Sequence, residues 1–140
     1  MELLISMLII GILAALAIPN YSRVRERAFV ARAIGDIRAL GQDIVEYQLT
    51  HNGTLPNTLA DIGRGGMMDP WGHAYAYLPI AGKGHAGYRK DRFLVPINSD
   101  FDLYSMGADG ATTGPLTAKV SQDDIIRAND GGFVGLASAF

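Results

Sequence analysis

The chain opens on an apolar run that leaves no polar face. From Leu3 to Ser22 twenty residues carry no charge, and fourteen of the sixteen from Leu3 to Ile18 are Leu, Ile, Met or Ala. A helix rising ~1.5 Å per residue covers the ~30 Å hydrocarbon core of a bilayer in about twenty residues. With no stripe offered to water, this composition predicts a membrane span over residues 3–22 rather than a buried helix of a soluble domain. It does not resemble a cleaved signal, because no basic stretch precedes the run and helical character resumes at Tyr21.

At Arg23 the pattern changes. Val30, Ile34, Ile37, Leu40, Ile44 and Tyr47 recur at spacings of three and four, while Arg32, Asp36, Asp43 and Glu46 fall on another face. That spacing predicts an amphipathic helix packed along one stripe. Pro19 removes a backbone donor and bends a helix, yet such breaks are tolerated in membrane segments. The prediction is therefore one helix reaching Asn52-Gly53, residue types that end helices. At about fifty residues it is far longer than the ~12 of a globular norm.

Beyond it the chain is rich in glycine, with a helical turn expected at Leu59 to Ile62 and a turn at Asp69-Pro70-Trp71-Gly72. Three runs of β-formers, His73 to Leu78, Arg92 to Ile97 and Phe101 to Met106, predict a small antiparallel sheet, covered on one face by the amphipathic helix. The tail from Gly107 to Phe140 is weak in periodicity, with a helical turn expected at Asp123 to Arg127. The fold class is α+β. Residues 1–52 form the helix, with its anchor at 3–22, and residues 53–140 form one globular head, since about ninety residues do not hold a second domain.

Charge adds two points. A net charge of −2 and a pI of 5.8 give no reason to expect nucleic acid as a partner. Arginines crowd the segment after the span, whereas Asp100, Asp102, Asp109, Asp123, Asp124 and Asp130 crowd the last third, where they could attract a cation. The absence of cysteine excludes disulfides and thiolate chemistry.

Enzyme motifs are scarce. His51, His73 and His85 are scattered without metal-ligand spacing, and the glycine-rich pieces at 63–66 and 82–87 do not fit a phosphate loop. Trp71, Tyr75, Tyr77 and Tyr104 read as sheet and core packing. Two features carry more. Glu2 heads an otherwise uncharged span; drawn into the apolar layer, its carboxylate either loses its charge or requires a cationic partner, which a neighbouring chain could supply. Asp109, Asp123 and Asp124 lie in glycine-rich loop sequence, where hard oxygen ligands suit Ca²⁺, though solvated surface aspartates are the simpler reading and no EF-hand pattern is present.

Glu2-Leu3-Leu4-Ile5 followed by IIGILAALAIPNY (9–21) resembles the N-terminal helix of type IV pilins and type II secretion pseudopilins. Leu55-Pro56, DPWGHAYAY (69–77) and DLYSMGADG (102–110) look like the corresponding stretches of the major pseudopilin. The resemblance implies a pilin-like αβ-roll without enzymatic activity. It implies a subunit held in the bacterial inner membrane with its head in the periplasm, then stacked helically with copies of itself through the N-terminal helix. Partners implied are minor pseudopilins or pilins, the inner-membrane assembly platform and a prepilin peptidase. In the family, the acid matching Glu2 meets the N-terminal amine of an adjacent subunit, the proline matching Pro19 marks a stretch that unwinds on assembly, and calcium in the C-terminal loop stabilises the head through aspartates matching Asp109, Asp123 and Asp124.

This sequence departs from that pattern in places. Only Met1 precedes Glu2, so the family's basic leader and the N-methylated Phe that follows its cut lie outside it. The arginines after Ser22 favour a cytoplasmic C-terminal side under the positive-inside rule, and the resemblance overrules it. Thirteen residues separate Asp109 from Asp123, and the ending IIRANDGGFVGLASAF runs long for a major pseudopilin. Two other functions stay open: a surface type IV pilin, extracellular once assembled, and a monomeric membrane-anchored periplasmic domain that binds an ion or ligand.

Overall fold

The computed structural model describes residues 2–80 and 87–140, apart from the side chains of Leu16, Ala17 and Pro19. His85 and most of the glycine-rich piece at 82–87 lie outside the described residues, as does Met1. One helix, α1 (Glu2–Thr50), precedes four strands, β1 (Ala76–Pro79), β2 (Phe101–Ser105), β3 (Ile125–Ala128) and β4 (Phe133–Leu136). The strands form one antiparallel sheet in the order β1-β2-β3-β4.

The expected stripe is present in the second half of α1. Ala33, Ile37, Leu40 and Ile44, spaced four, three and four apart, are at most 1 % exposed and pack on Phe101, Leu103 and Ile125 of the sheet and on Leu59 and Tyr75. The helix ends where the chain enters left-handed backbone, with φ of 54° at Asn52 and 81° at Gly53, and the Gly53 N–H donates to the Gln48 carbonyl at 2.9 Å. This is the glycine termination its sequence called for. The short 3₁₀ turn at Leu59–Ile62 also forms where expected, opened by Asp61, whose carboxylate accepts the N–H groups of Asn57 and Thr58 at 3.0 and 2.9 Å.

Two expectations fail. Arg92 to Ile97 is not a strand. It holds a turn closed by Asp91 and Leu94, whose backbone groups exchange hydrogen bonds, and Phe93 is 99 % exposed. Pro96 lies inside the run and cannot donate to a ladder, which outweighs the β-preference of its neighbours. The tail, expected to be irregular with a helical turn at Asp123 to Arg127, instead supplies β3 and β4. All four residues of β3 are buried, so its sequence shows no alternation. The hairpin joining the two strands turns through Asn129, Asp130 and Gly131 at φ 51°, 54° and 94°, residue types that tolerate positive φ.

The sheet therefore has two buried faces. Phe101 and Leu103 of β2, Ile125 of β3, and Val134 and Leu136 of β4 meet α1. Tyr104, Ile126, Ala128 and Phe133 point the other way, into a second cluster completed by Ile97, Leu116, Ala137 and Phe140.

The exposed half of the helix and the clamp of the head

The large apolar residues described in the first half of α1 are exposed. Leu3 is 83 % exposed, Met7 73 % and Ile18 68 %, and an 18-residue stretch of mean hydropathy 2.4 contains no buried residue. By length and composition this helix is able to cross a membrane. Glu2 stands in its first turn, exposed, with the Ser6 hydroxyl donating to its carbonyl at 2.9 Å. Among the described residues its carboxylate has no ion pair. The backbone of Pro19 is helical and its side chain is outside the described set.

Contact with the head begins at Glu26 and Phe29. Trp71 packs edge-on against Phe29 with ring centroids 5.9 Å apart, and its indole N–H donates to Glu26 at 3.3 Å. Tyr75 donates its hydroxyl to Asp36 at 2.9 Å and Tyr77 donates to the Pro56 carbonyl at 2.8 Å. Burial, reinforced at Tyr75 by Asp36, pushes both phenols above their ordinary value, so they stay neutral donors. Trp71, Tyr75 and Tyr77 therefore pack in the core beneath α1 and Tyr104 in the cluster on the opposite face, the sheet and core packing that the sequence suggested.

DPWGHAYAY and DLYSMGADG turn out to be two jaws of one clamp. Asp69 is 4 % exposed. One carboxylate oxygen accepts the N–H groups of Trp71 at 3.0 Å and His73 at 2.8 Å, and the other accepts the Ser105 hydroxyl at 2.6 Å. The Ser105 oxygen in turn accepts the Gly107 N–H at 3.1 Å. His73 Nδ1 lies 3.2 Å from the Gly107 carbonyl. Both glycines are required here. At Gly107, φ 64°, a Cβ would stand 2.4 Å from the Asp123 carbonyl oxygen; at Gly110, φ 66°, it would stand 2.6 Å from His73 Nε2.

The three aspartates of the loop are brought near one another but occupied separately. Asp123 accepts the Asp109 N–H at 3.1 Å, and Asp109 accepts the Ala111 N–H at 2.8 Å. Asp124 is fully buried, and one of its oxygens accepts both the Thr112 hydroxyl at 2.6 Å and the Arg89 guanidinium. Burial raises the Asp124 carboxyl above the ordinary range, opposed by Thr112 and by the charge of Arg89. Among the described residues no group of three or more His, Asp or Glu is placed to hold a metal ion. A dication on Asp124 would also face a permanent guanidinium. Two unit charges ~4 Å apart repel by about 4 kcal/mol at an effective dielectric of 20, and a dication doubles that. As placed, the three carboxylates do not form a calcium-binding set.

Sequence reasoning passed over Arg89 and Arg127, both buried. Arg127 grips Asp100 with two N–H groups at 2.8 and 2.6 Å and lies 3.9 Å from the Phe101 ring centroid. The available signal was an arginine directly after two β-branched residues in Ile125-Ile126-Arg127-Ala128, where a surface residue has no place in a buried strand. A groove of about 490 Å³ lies beside it, between residues 37–49 of α1 and the β3–β4 turn, and Glu46, Arg127 and Asp130 are its charged lining residues together with Arg38.

Comparison with known proteins agrees with this architecture. No family model matches the chain. The type II secretion system core protein G of Pseudomonas aeruginosa is 31 % identical over 134 residues, covering 81 % of this chain and 83 % of its own length. The core protein G of Vibrio cholerae is 28 % identical over 84 % of this chain and 83 % of its own, and that of Escherichia coli is 29 % identical over 79 % of each. Identity at this level over four-fifths of both chains, on a long apolar helix packed against a small antiparallel sheet, shows that the chain belongs to the family of the type II secretion system core protein G, the major pseudopilins.

Proposed function

We propose that this chain is the structural subunit of a type II secretion pseudopilus, anchored in the inner membrane by residues 3–22 with its head in the periplasm, and polymerised through the first half of α1. The observation that carries the reading is the division of that helix. Residues of its second half are buried against the head, while the apolar residues of its first half stand exposed among the described residues. Such a surface is stable only in lipid or against other apolar helices, and a filament core supplies the second environment when the subunit leaves the first. Glu2, at the tip of the exposed half, is placed to meet a cation of the next copy. Minor pseudopilins and the membrane assembly platform are the further partners of this reading, which asks no catalysis of the chain.

Electron microscopy of sheared filaments tests it, using cells that carry the native assembly machinery and the full precursor. The parent should give filaments. Glu2→Ala should insert into the membrane normally and give few filaments, and an undiminished yield would remove the role assigned to Glu2. Secretion of exoproteins into the medium by a deletion strain carrying the chain distinguishes a pseudopilus from a surface pilus, which would restore motility or adhesion instead.

A further inference from the structure

Arg89 joins four separate pieces of the head. Its guanidinium is 3 % exposed. One terminal nitrogen donates to Asp124, the other to the Thr112 hydroxyl and to the Thr113 carbonyl, the last at 2.7 Å. The guanidinium carbon lies 4.4 Å from the Tyr104 ring centroid. Its backbone N–H donates to Asp102 at 2.7 Å, and its carbonyl accepts the Ile97 N–H at 3.1 Å. Strand β2, the 112–113 loop, the residues before β3 and the segment around Ile97 are thus all held by one side chain and its own backbone. Among the described residues, the buried side-chain atoms without a hydrogen-bond partner, Arg89 Nε and Asp124 Oδ1, belong to this same pair, one donor and one acceptor.

We propose that Arg89 is the resident cation of the C-terminal loop, supplying from the chain itself the positive charge that a bound calcium ion supplies in the resemblance, so that this head folds and stays folded without divalent metal. Asp124 needs a positive neighbour because its carboxylate is fully buried. Arginine supplies one that is permanent, directional and independent of ion concentration. Its fork reaches an acidic side chain, a hydroxyl and a backbone carbonyl at once, the kinds of oxygen a calcium ion would gather. Asp109 and Asp123 are left to order the loop through backbone N–H groups. The 112–113 loop and β3 are thereby fixed at synthesis rather than on ion capture. This inference is separate from filament assembly: a pseudopilin could need calcium or dispense with it.

Thermal unfolding of the full chain in detergent, with millimolar calcium or with EGTA, tests it. The two melting midpoints should coincide. Arg89→Gln should melt lower, and calcium should then raise its midpoint, because the freed carboxylate can accept an ion once the guanidinium is gone. A parent midpoint that falls by several degrees on chelation would overturn the proposal, as would an Arg89→Gln variant that melts like the parent. Should Arg89→Gln not fold, the chelation comparison on the parent decides alone, and filament yield, read separately, reports only on the proposed function.

Discussion

The two faces of the sheet are both covered, in opposite ways. On one face a regular helix lays down Ala33, Ile37, Leu40 and Ile44 at helical spacing, and the contact is apolar throughout its centre. On the other, loop residues Ile97 and Leu116 and the C-terminal Ala137 cover Ile126 and Ala128, and their positions depend on Arg89, Asp102 and Asp124. A helix satisfies its own backbone groups, so it needs only side chains to cover a sheet. A loop must also find partners for its N–H and C=O groups, and here buried side chains supply them: Asp102 and the guanidinium of Arg89 take up the Arg89 N–H and the Thr113 carbonyl. The polar network is what a non-periodic lid requires.

That contrast can be broken most severely from the helix side. Leu40→Ala should cost about 3–5 kcal/mol in denaturant unfolding, near the upper range for a large-to-small core change, because a rigid helix cannot collapse into the cavity. Ile126→Ala, beneath the loops, should cost nearer ~2 kcal/mol, since a lid of loops can settle; equal losses would show that both lids are equally rigid. Gly107→Ala should cost about 2–4 kcal/mol, combining left-handed backbone with a Cβ driven into the Asp123 carbonyl. A loss under ~0.5 kcal/mol would mean that the clamp tolerates repacking.

The smallest expected effect is a pH dependence. Burial raises the carboxyl of Asp102 against the hydrogen bonds from the Arg89 N–H and Asn98, and raises that of Asp124. A carboxyl whose folded pKa exceeds its unfolded one contributes most stability below the unfolded value of ~3.9 and loses it as pH rises through the folded value. Asp130 is shifted the other way, its burial penalty outweighed by the sum of the hydrogen bonds from Ser99, the hydrogen bond with Asp100 and the charge of Arg127, and its contribution is lost only as pH falls through its own lowered value. Between neutrality and pH ~4 the melting midpoint should therefore hold or rise. Asp102→Asn should flatten that slope, and a midpoint falling steadily across this interval would contradict the assignment.

The same contrast decides what was legible in the sequence. Helix, stripe and glycine stop were readable because Val30 to Tyr47 repeats with the period of a helix and Asn52-Gly53 punctuates it. β2 was readable because Phe101 and Leu103 alternate with polar neighbours. β3 was not, because burial on both faces removes alternation, yet Asn129-Asp130-Gly131-Gly132 between two apolar runs carried the hairpin signal that would have found it. Arg92 to Ile97 was misread because β-branched composition was weighed above Pro96. The clamp and Arg89 lay beyond pattern reading altogether. Asp69 and Ser105 are 36 residues apart and Arg89 and Asp124 are 35 apart, and nothing local records such a pairing.

The clamp also makes the head a natural place for insertion. Because Asp69 and His73 are fastened to Ser105 and Gly107, the ends of the intervening segment are fixed whatever its length, and its turn at Arg92 and Phe93 faces outward. Closing a longer loop between fixed ends costs only about 0.6 kcal/mol per doubling of its length. Evolution or an engineer could lengthen that turn, or graft a peptide onto it, and decorate the head without disturbing the packing of helix on sheet.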